Sequence, residues 1–139
     1  MAEGLFKKMI AEHGKTDDIK VISAGISSGF GPAQSHATEV MRELGIDISP
    51  HRAKQFTAKM ADGTDLIITM DKYVKDTIIE DFPGAEKMVY TLKEFAFGKV
   101  RDDDDFDIED PFGGPIETFR KCAEEIAEVL EVAWDKIKT

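Results

Sequence analysis

The chain has a single cysteine, Cys122, among 139 residues. An internal disulfide is therefore excluded, and a reducing, cytoplasmic setting is expected. It has no apolar run near the roughly 18 residues that a membrane span needs, and its N-terminus lacks the pattern of a secretory signal. Basic residues are the minority: 18 Lys and Arg face 28 Asp and Glu, for a net charge of −10. Nucleic acid and anionic lipid call for basic stripes, so neither a nucleic acid nor a membrane is an expected partner. No repeat, Ser/Gly linker or shift in composition divides the sequence, and residues 1–139 are expected to form one domain. No pair or trio of His, Cys and acid has metal-site spacing, so neither a metal nor a cofactor is expected. With 42 % hydrophobic and 33 % charged residues, the remaining class is a globular domain large enough to close its own core.

What is present alternates between helical and strand-like patterns. Leu5, Phe6, Met9 and Ile10 form an apolar stripe that predicts a first helix, with Gly14 available for a left-handed cap. Ile19–Ser23 reads as a strand closed by Ala24-Gly25, and the stretch from Ile26 to Pro32 reads as a loop. A second helix is expected from Ser35 to Leu44, stopped by Gly45. Leu66–Met70 is a continuous β-rich run suited to a strand buried on both faces. Asp71 stands where a carboxylate can cap a helix over Lys72–Glu80. Met88–Leu92 is a third strand candidate. From Pro115, the residues Ile116, Phe119, Ala123, Ile126, Leu130, Ala133, Trp134 and Ile137 keep helical periodicity to the end. Strands alternating with helices imply right-handed crossovers and a parallel sheet coated by helices, with ligands at the carboxyl ends of the strands.

Several motifs fail on inspection. Gly14-Lys15-Thr16 lacks the earlier glycine of a phosphate loop, because Met9 occupies that position. Gly29-Phe30-Gly31 lacks the third glycine of a dinucleotide fingerprint, where Gln34 stands. Asp102–Asp110 carries seven acids in nine residues, but no register supplies both the glycine and the glutamate of an EF-hand loop. Its first half reads as a solvated, self-repelling loop. Its second half leads into Asp110-Pro111-Phe112-Gly113-Gly114. That segment is either a plain turn or a loop acid beside an aromatic wall, suited to protonating a leaving group. Cys122 falls next to the apolar face of the last helix and reads as an inert thiol, and Glu128 stands six residues on, where a phosphatase loop would need arginine. His51, beside Arg52 in a connecting loop, either orients a neighbouring loop or faces water. His13 and His36 read as helix-end residues.

Taken in order along the chain, several segments resemble the low-molecular-weight protein phosphatases. They are Met1–Phe6, Ser23-Ala24-Gly25, Gly45–Ser49 with His51-Arg52-Ala53 and Gln55, and Leu66–Asp71. The most specific is Asp110–Gly114 followed by Glu117, Phe119 and Cys122. The resemblance implies an α/β three-layer sandwich, in which a four-stranded parallel sheet is flanked by helices. It implies hydrolysis of a phosphorylated protein or a small phosphate ester through a cysteinyl-phosphate held in a Cys-x5-Arg loop. Carried over by position, Asp110 matches the general acid, Phe112 and Phe30 match the pocket walls, and His51 matches a histidine bracing the phosphate loop. Tyrosine phosphatases of this group often carry a second aromatic after Asp-Pro-aromatic. Gly113, with Thr91–Phe95, is more similar to the bacterial protein-arginine phosphatases. A single cysteine argues against the related arsenate reductases, which use several.

In that family the phosphate loop ends immediately before the residues matching Met1-Ala2-Glu3. The first strand, the nucleophilic cysteine and the arginine are thus expected to be missing from this sequence, leaving the 139 residues inactive by themselves. Since that strand is central in the family sheet, Ile19–Ser23 and Leu66–Met70 would lack a neighbour. Buried amides left unpaired cost about 1–3 kcal/mol each. Three expectations follow: Met1 is not the true start and the complete protein is a phosphatase; the short chain is a non-catalytic acidic binding or regulatory module; or a partner completes the sheet by strand addition.

Overall fold

A computed structural model describes residues 1–26, 31, 33–98 and 106–137. Met1–Gln55 with Asp110–Ala127 form one compact unit, and Phe56–Glu109 with Glu128–Thr139 form a second. The class is α/β.

In the first unit, α1 spans Ala2–Glu12 and buries Leu5, Met9 and Ile10. His13 caps its end, and Gly14 follows at φ +67°, the left-handed position expected from the sequence. The approach of α1 to its neighbours is set by Gly4. A Cβ there would sit 3.0–3.1 Å from Ile48 Cγ2, Ile46 Cγ2 and Met41 Cε. Helix α2, Ser35–Glu43, buries Ala37, Val40 and Met41 and gives way to Gly45 at φ +78°. The first half of α6, which runs Ile116–Ile137, turns Phe119, Ala123 and Ile126 inward. Phe119 meets the His36 ring edge-to-face at 5.3 Å. Arg120 grips Glu43 with two hydrogen bonds of 2.9 and 2.8 Å and also donates to Glu117, tying α2 to α6.

The expected strand at Ile19–Ser23 is a correction. These residues adopt no strand, and Ile22 is 58 % exposed. β-Branched side chains favour extended backbone, but a strand exists only where a ladder partner takes its amides. Just beyond the segment, Gly25 bridges Gln55 in parallel, with Gly25 N–H donating to Lys54 O at 2.8 Å. Gly29, Phe30 and Asp102–Asp105 lie outside the described residues.

In the second unit, β1 (Ile67–Thr69) pairs in parallel with β2 (Val89–Thr91), in register Ile67↔Val89, Ile68↔Tyr90 and Thr69↔Thr91. This two-stranded sheet is shorter than the four strands the resemblance implies. Both strands alternate between buried and half-buried residues. Between them run α4 (Lys72–Asp81) and a 3₁₀ turn over Pro83–Met88, so Met88 is not part of the strand as expected. Two further short helices flank the sheet segments: α3 (Ala58–Asp62), and α5 (Leu92–Phe97), which takes Leu92 out of the expected strand.

Each of these three helices opens on a side-chain cap that accepts the amide three residues on. The pairs are Thr57 with Met60, Asp71 with Val74, and Thr91 with Glu94. The shielded Lys75–Glu94 pair, at 2.6 Å, fastens α4 to α5. Val129, Leu130, Ala133 and Trp134 from the second half of α6 are buried, and Lys136 Nζ caps the end of α5 at Phe95 O.

The space around Gly4 generates a stability prediction. Gly4→Val forces β-branched bulk against Ile46 and Ile48 and lowers the free energy of unfolding by about 1–3 kcal/mol. Gly4→Ala costs much less. Chemical denaturation of both variants checks this, and an unchanged midpoint for Gly4→Val would show that α1 does not pack on the Ile46–Ile48 segment.

Candidate active site

The first unit contains Asp110, Phe112 and His51, three of the four residues singled out above; Phe30 lies outside the described residues. Asp110 begins a tightly constrained turn. Its Oδ1 accepts Phe112 N–H at 3.0 Å, and Pro111 O accepts Gly114 N–H at 2.9 Å. Proline fixes φ beside the acid, and Gly113 supplies φ +84°, which a residue with a Cβ rarely adopts. One carboxylate oxygen is thereby held by the loop, while Oδ2 has no hydrogen-bond partner among the described residues. The carboxylate is exposed, and so is the Phe112 ring, at 75 %. An exposed acid held in place through one oxygen has the form needed to pass a proton to a bound group.

Cys122 reports on what surrounds this turn. Burial pushes its thiol up from the ordinary cysteine value and the Glu125 carboxylate adds to this; the Met1 ammonium pulls it down in part, and Asp110 adds a smaller upward push. Met1, just ahead of α1, is itself close to Cys122. The turn with Asp110, the start of α1 and the second turn of α6 therefore share one neighbourhood. A thiol kept protonated by burial and two acids is the reverse of an activated nucleophile. The 139 residues contain no Cys-x5-Arg sequence.

His51 has a partner that the sequence did not reveal. Its Nδ1 lies 3.4 Å from Glu3 Oε2 in the first turn of α1, within ion-pair reach when the ring is protonated. Glu3 also faces Lys7 at 3.7 Å. The loop holding His51 is braced from within. His51 N–H donates to Ile48 O, Arg52 Nη1 donates to Ser49 O and His51 O, and Asp47 Oδ1 accepts Ser49 N–H. The Ser49 hydrogen bonds hold the Asp47 carboxyl below its ordinary range. Glu3 could have been noticed as an acid in a helix's first turn, but nothing local pointed it at residue 51. His51 and Asp110 are not hydrogen-bonded to each other among the described residues.

The family model of the low molecular weight phosphotyrosine protein phosphatases matches residues 1–139. The chain belongs to that family. It is 34 % identical over 131 residues to a protein-arginine-phosphatase of Geobacillus stearothermophilus, a match covering 94 % of this chain and 84 % of that protein. It is 38 % identical over 117 residues to a probable low molecular weight protein-tyrosine-phosphatase, EpsP, of Ralstonia nicotianae, covering 84 % and 74 %. Among solved structures, a YwlE mutant from Bacillus subtilis superposes with a TM-score of 0.89 at 31 % identity, covering 99 % of this chain and 88 % of that one. The family's relatives thus include phosphatases named for each of two phosphorylated side chains. In the second unit of this family member, no described helix is long and apolar enough to cross a membrane, and the same holds for the first.

The environment of Cys122 carries its own prediction. At neutral pH iodoacetamide labels this thiol far more slowly than a cysteine in a short peptide, and labelling accelerates only above the peptide's own titration. Because the folded thiol ionises later than the unfolded one, its contribution to stability is intact below the unfolded pKa and fades as pH climbs through the folded value. Glu125→Gln shifts the labelling profile to lower pH. A profile unmoved by that change would show the carboxylate does not reach the thiol.

Proposed function

We propose that this chain is the proton-donating body of a protein phosphatase that acts on phosphorylated side chains in the cytoplasm, phosphoarginine foremost. The observation that carries the reading is the Asp110 turn: one carboxylate oxygen accepts Phe112 N–H, and both Asp110 and Phe112 are exposed. Family membership supports phosphate chemistry. The names of relatives such as the G. stearothermophilus protein-arginine-phosphatase support the arginine preference.

In the proposed reaction a cysteine thiolate attacks phosphorus and the bond to the leaving group breaks. Asp110 gives its proton to the departing nitrogen or oxygen, so the leaving group departs neutral. The resulting carboxylate then takes a proton from the water that attacks the cysteinyl-phosphate, releasing inorganic phosphate and regenerating both groups. Phe112 lines the approach to the phosphorus. His51, through Glu3, steadies the first turn of α1. The thiolate and its arginine must come from a Cys-x5-Arg loop, which the 139 residues do not contain.

The test compares the 139-residue chain with the same chain joined at Met1 to a strand and a Cys-x5-Arg-Ser loop. The joined chain is expected to hydrolyse phosphorylated peptides, and the 139 residues alone are not. Asp110→Asn in the joined chain lowers kcat by about 10²–10⁴-fold. Full activity in that variant would remove Asp110 from the mechanism. Hydrolysis by the unjoined chain would mean a nucleophile other than the one proposed.

A further inference from the structure

The turn that carries Asp110 is jointed closely to the first turn of α6. Gly114 N–H closes it on Pro111 O, and a Cβ on Gly114 would lie 2.7 Å from Thr118 Oγ1. Thr118 in turn donates to Pro115 O through its amide, at 3.0 Å, and its hydroxyl, at 2.6 Å. Asp110 Oδ1 accepts Phe112 N–H, so the carboxyl moves with this piece. Arg120 ties the piece to α2. Its Nε and Nη2 fork onto the two carboxylate oxygens of Glu43, the last residue of α2, while Nη1 reaches back to Glu117. The Arg120 hydrogen bond holds the Glu43 carboxyl below its ordinary range. Helix α2 is tied to α1 by Lys8 Nζ, which donates to Leu44 O at 2.9 Å, and by the close approach at Gly4.

We propose that Arg120 is a positioning residue: its fork onto Glu43 sets where the Asp110 carboxyl stands relative to the start of α1, and so governs proton delivery to the leaving group. This rests on the phosphatase reading above, in which the Cys-x5-Arg loop enters α1 at Met1. Burial of Phe119 also draws α6 inward, but the hydrophobic effect has no preferred direction. A planar guanidinium meeting both oxygens of one carboxylate fixes direction as well as distance. An ion pair this exposed adds little stability. Its effect is therefore on geometry, and a displacement of about 1 Å is enough to slow a positioned reaction.

The experiment uses the joined chain and two small esters, phenyl phosphate and 2,4-dinitrophenyl phosphate. Phenolate is a poor leaving group that needs the proton, whereas dinitrophenolate is stable enough as an anion to leave without it. The readout is kcat/KM for each ester, which covers the steps up to loss of the leaving group and excludes the later attack of water. Arg120→Gln is expected to lower the phenyl phosphate value by about tenfold and to leave the dinitrophenyl value within about twofold. Glu43→Gln breaks the same fork from α2 and gives the same pattern, and the double variant loses no more than either alone. Arg120→Lys keeps the charge without the fork and recovers only part of the rate. Should Arg120→Gln fail to fold, Glu43→Gln carries the test. Equal losses on the two esters, or no loss on either, overturn the proposal while leaving the phosphatase reading intact. A joined wild-type chain that cleaves only the dinitrophenyl ester has no working acid to position, which overturns the proposal as well. One that hydrolyses neither ester overturns the phosphatase reading, and the proposal with it.

Discussion

Helix α6 contributes buried apolar side chains to the core of each unit. Over 22 residues it turns Phe119, Ala123 and Ile126 into the first and Val129, Leu130, Ala133 and Trp134 into the second. Most of the stability of such a helix comes from packing of its buried face rather than from intrinsic propensity. Its N-terminal end is also where the chain leaves the Asp110 turn. The spacing that fills the cores therefore sets the direction in which the acid-bearing turn enters the helix.

The small elements of the second unit follow another rule. None of α3, α4 and α5 exceeds ten residues, so unsatisfied amides at their first turns weigh heavily. Thr57, Asp71 and Thr91 each remove one such amide. Asp107 adds to this by accepting Lys72 N–H at 2.8 Å, and Ile108 N–H donates to Met70 O. The segment that precedes Asp110 is thus held by one acidic side chain, Asp107, and by one backbone bond at Ile108.

How much of this was legible in the sequence varied with the physics behind each element. The α6 stripe, the Asp71 cap and the glycines after α1 and α2 are local signals, and all were readable. The segment Ile19–Ser23 was misread because composition reports a preference for extended backbone but not whether a ladder partner is present. Helix α5 was hidden inside an apolar run, although the Thr91-x-x-Glu94 spacing that starts it is a recognisable cap signal. The turn at Asp110 was readable because proline and two glycines constrain it locally. The Glu3–His51 and Glu43–Arg120 contacts were not, since each joins residues far apart in the chain and charged residues of both signs abound.

The placement of Trp134 has a spectroscopic consequence. The protein has one tryptophan and two tyrosines, Tyr73 and Tyr90. All three fall in the second unit, with Trp134 buried in its core. The first unit, which carries Asp110, absorbs only through phenylalanine and is nearly dark in the near ultraviolet. Its reporter is instead chemical: Cys122, the chain's single thiol, sits in that unit. Intrinsic fluorescence and thiol labelling of the same sample would therefore follow two different parts of the molecule, without a residue being changed.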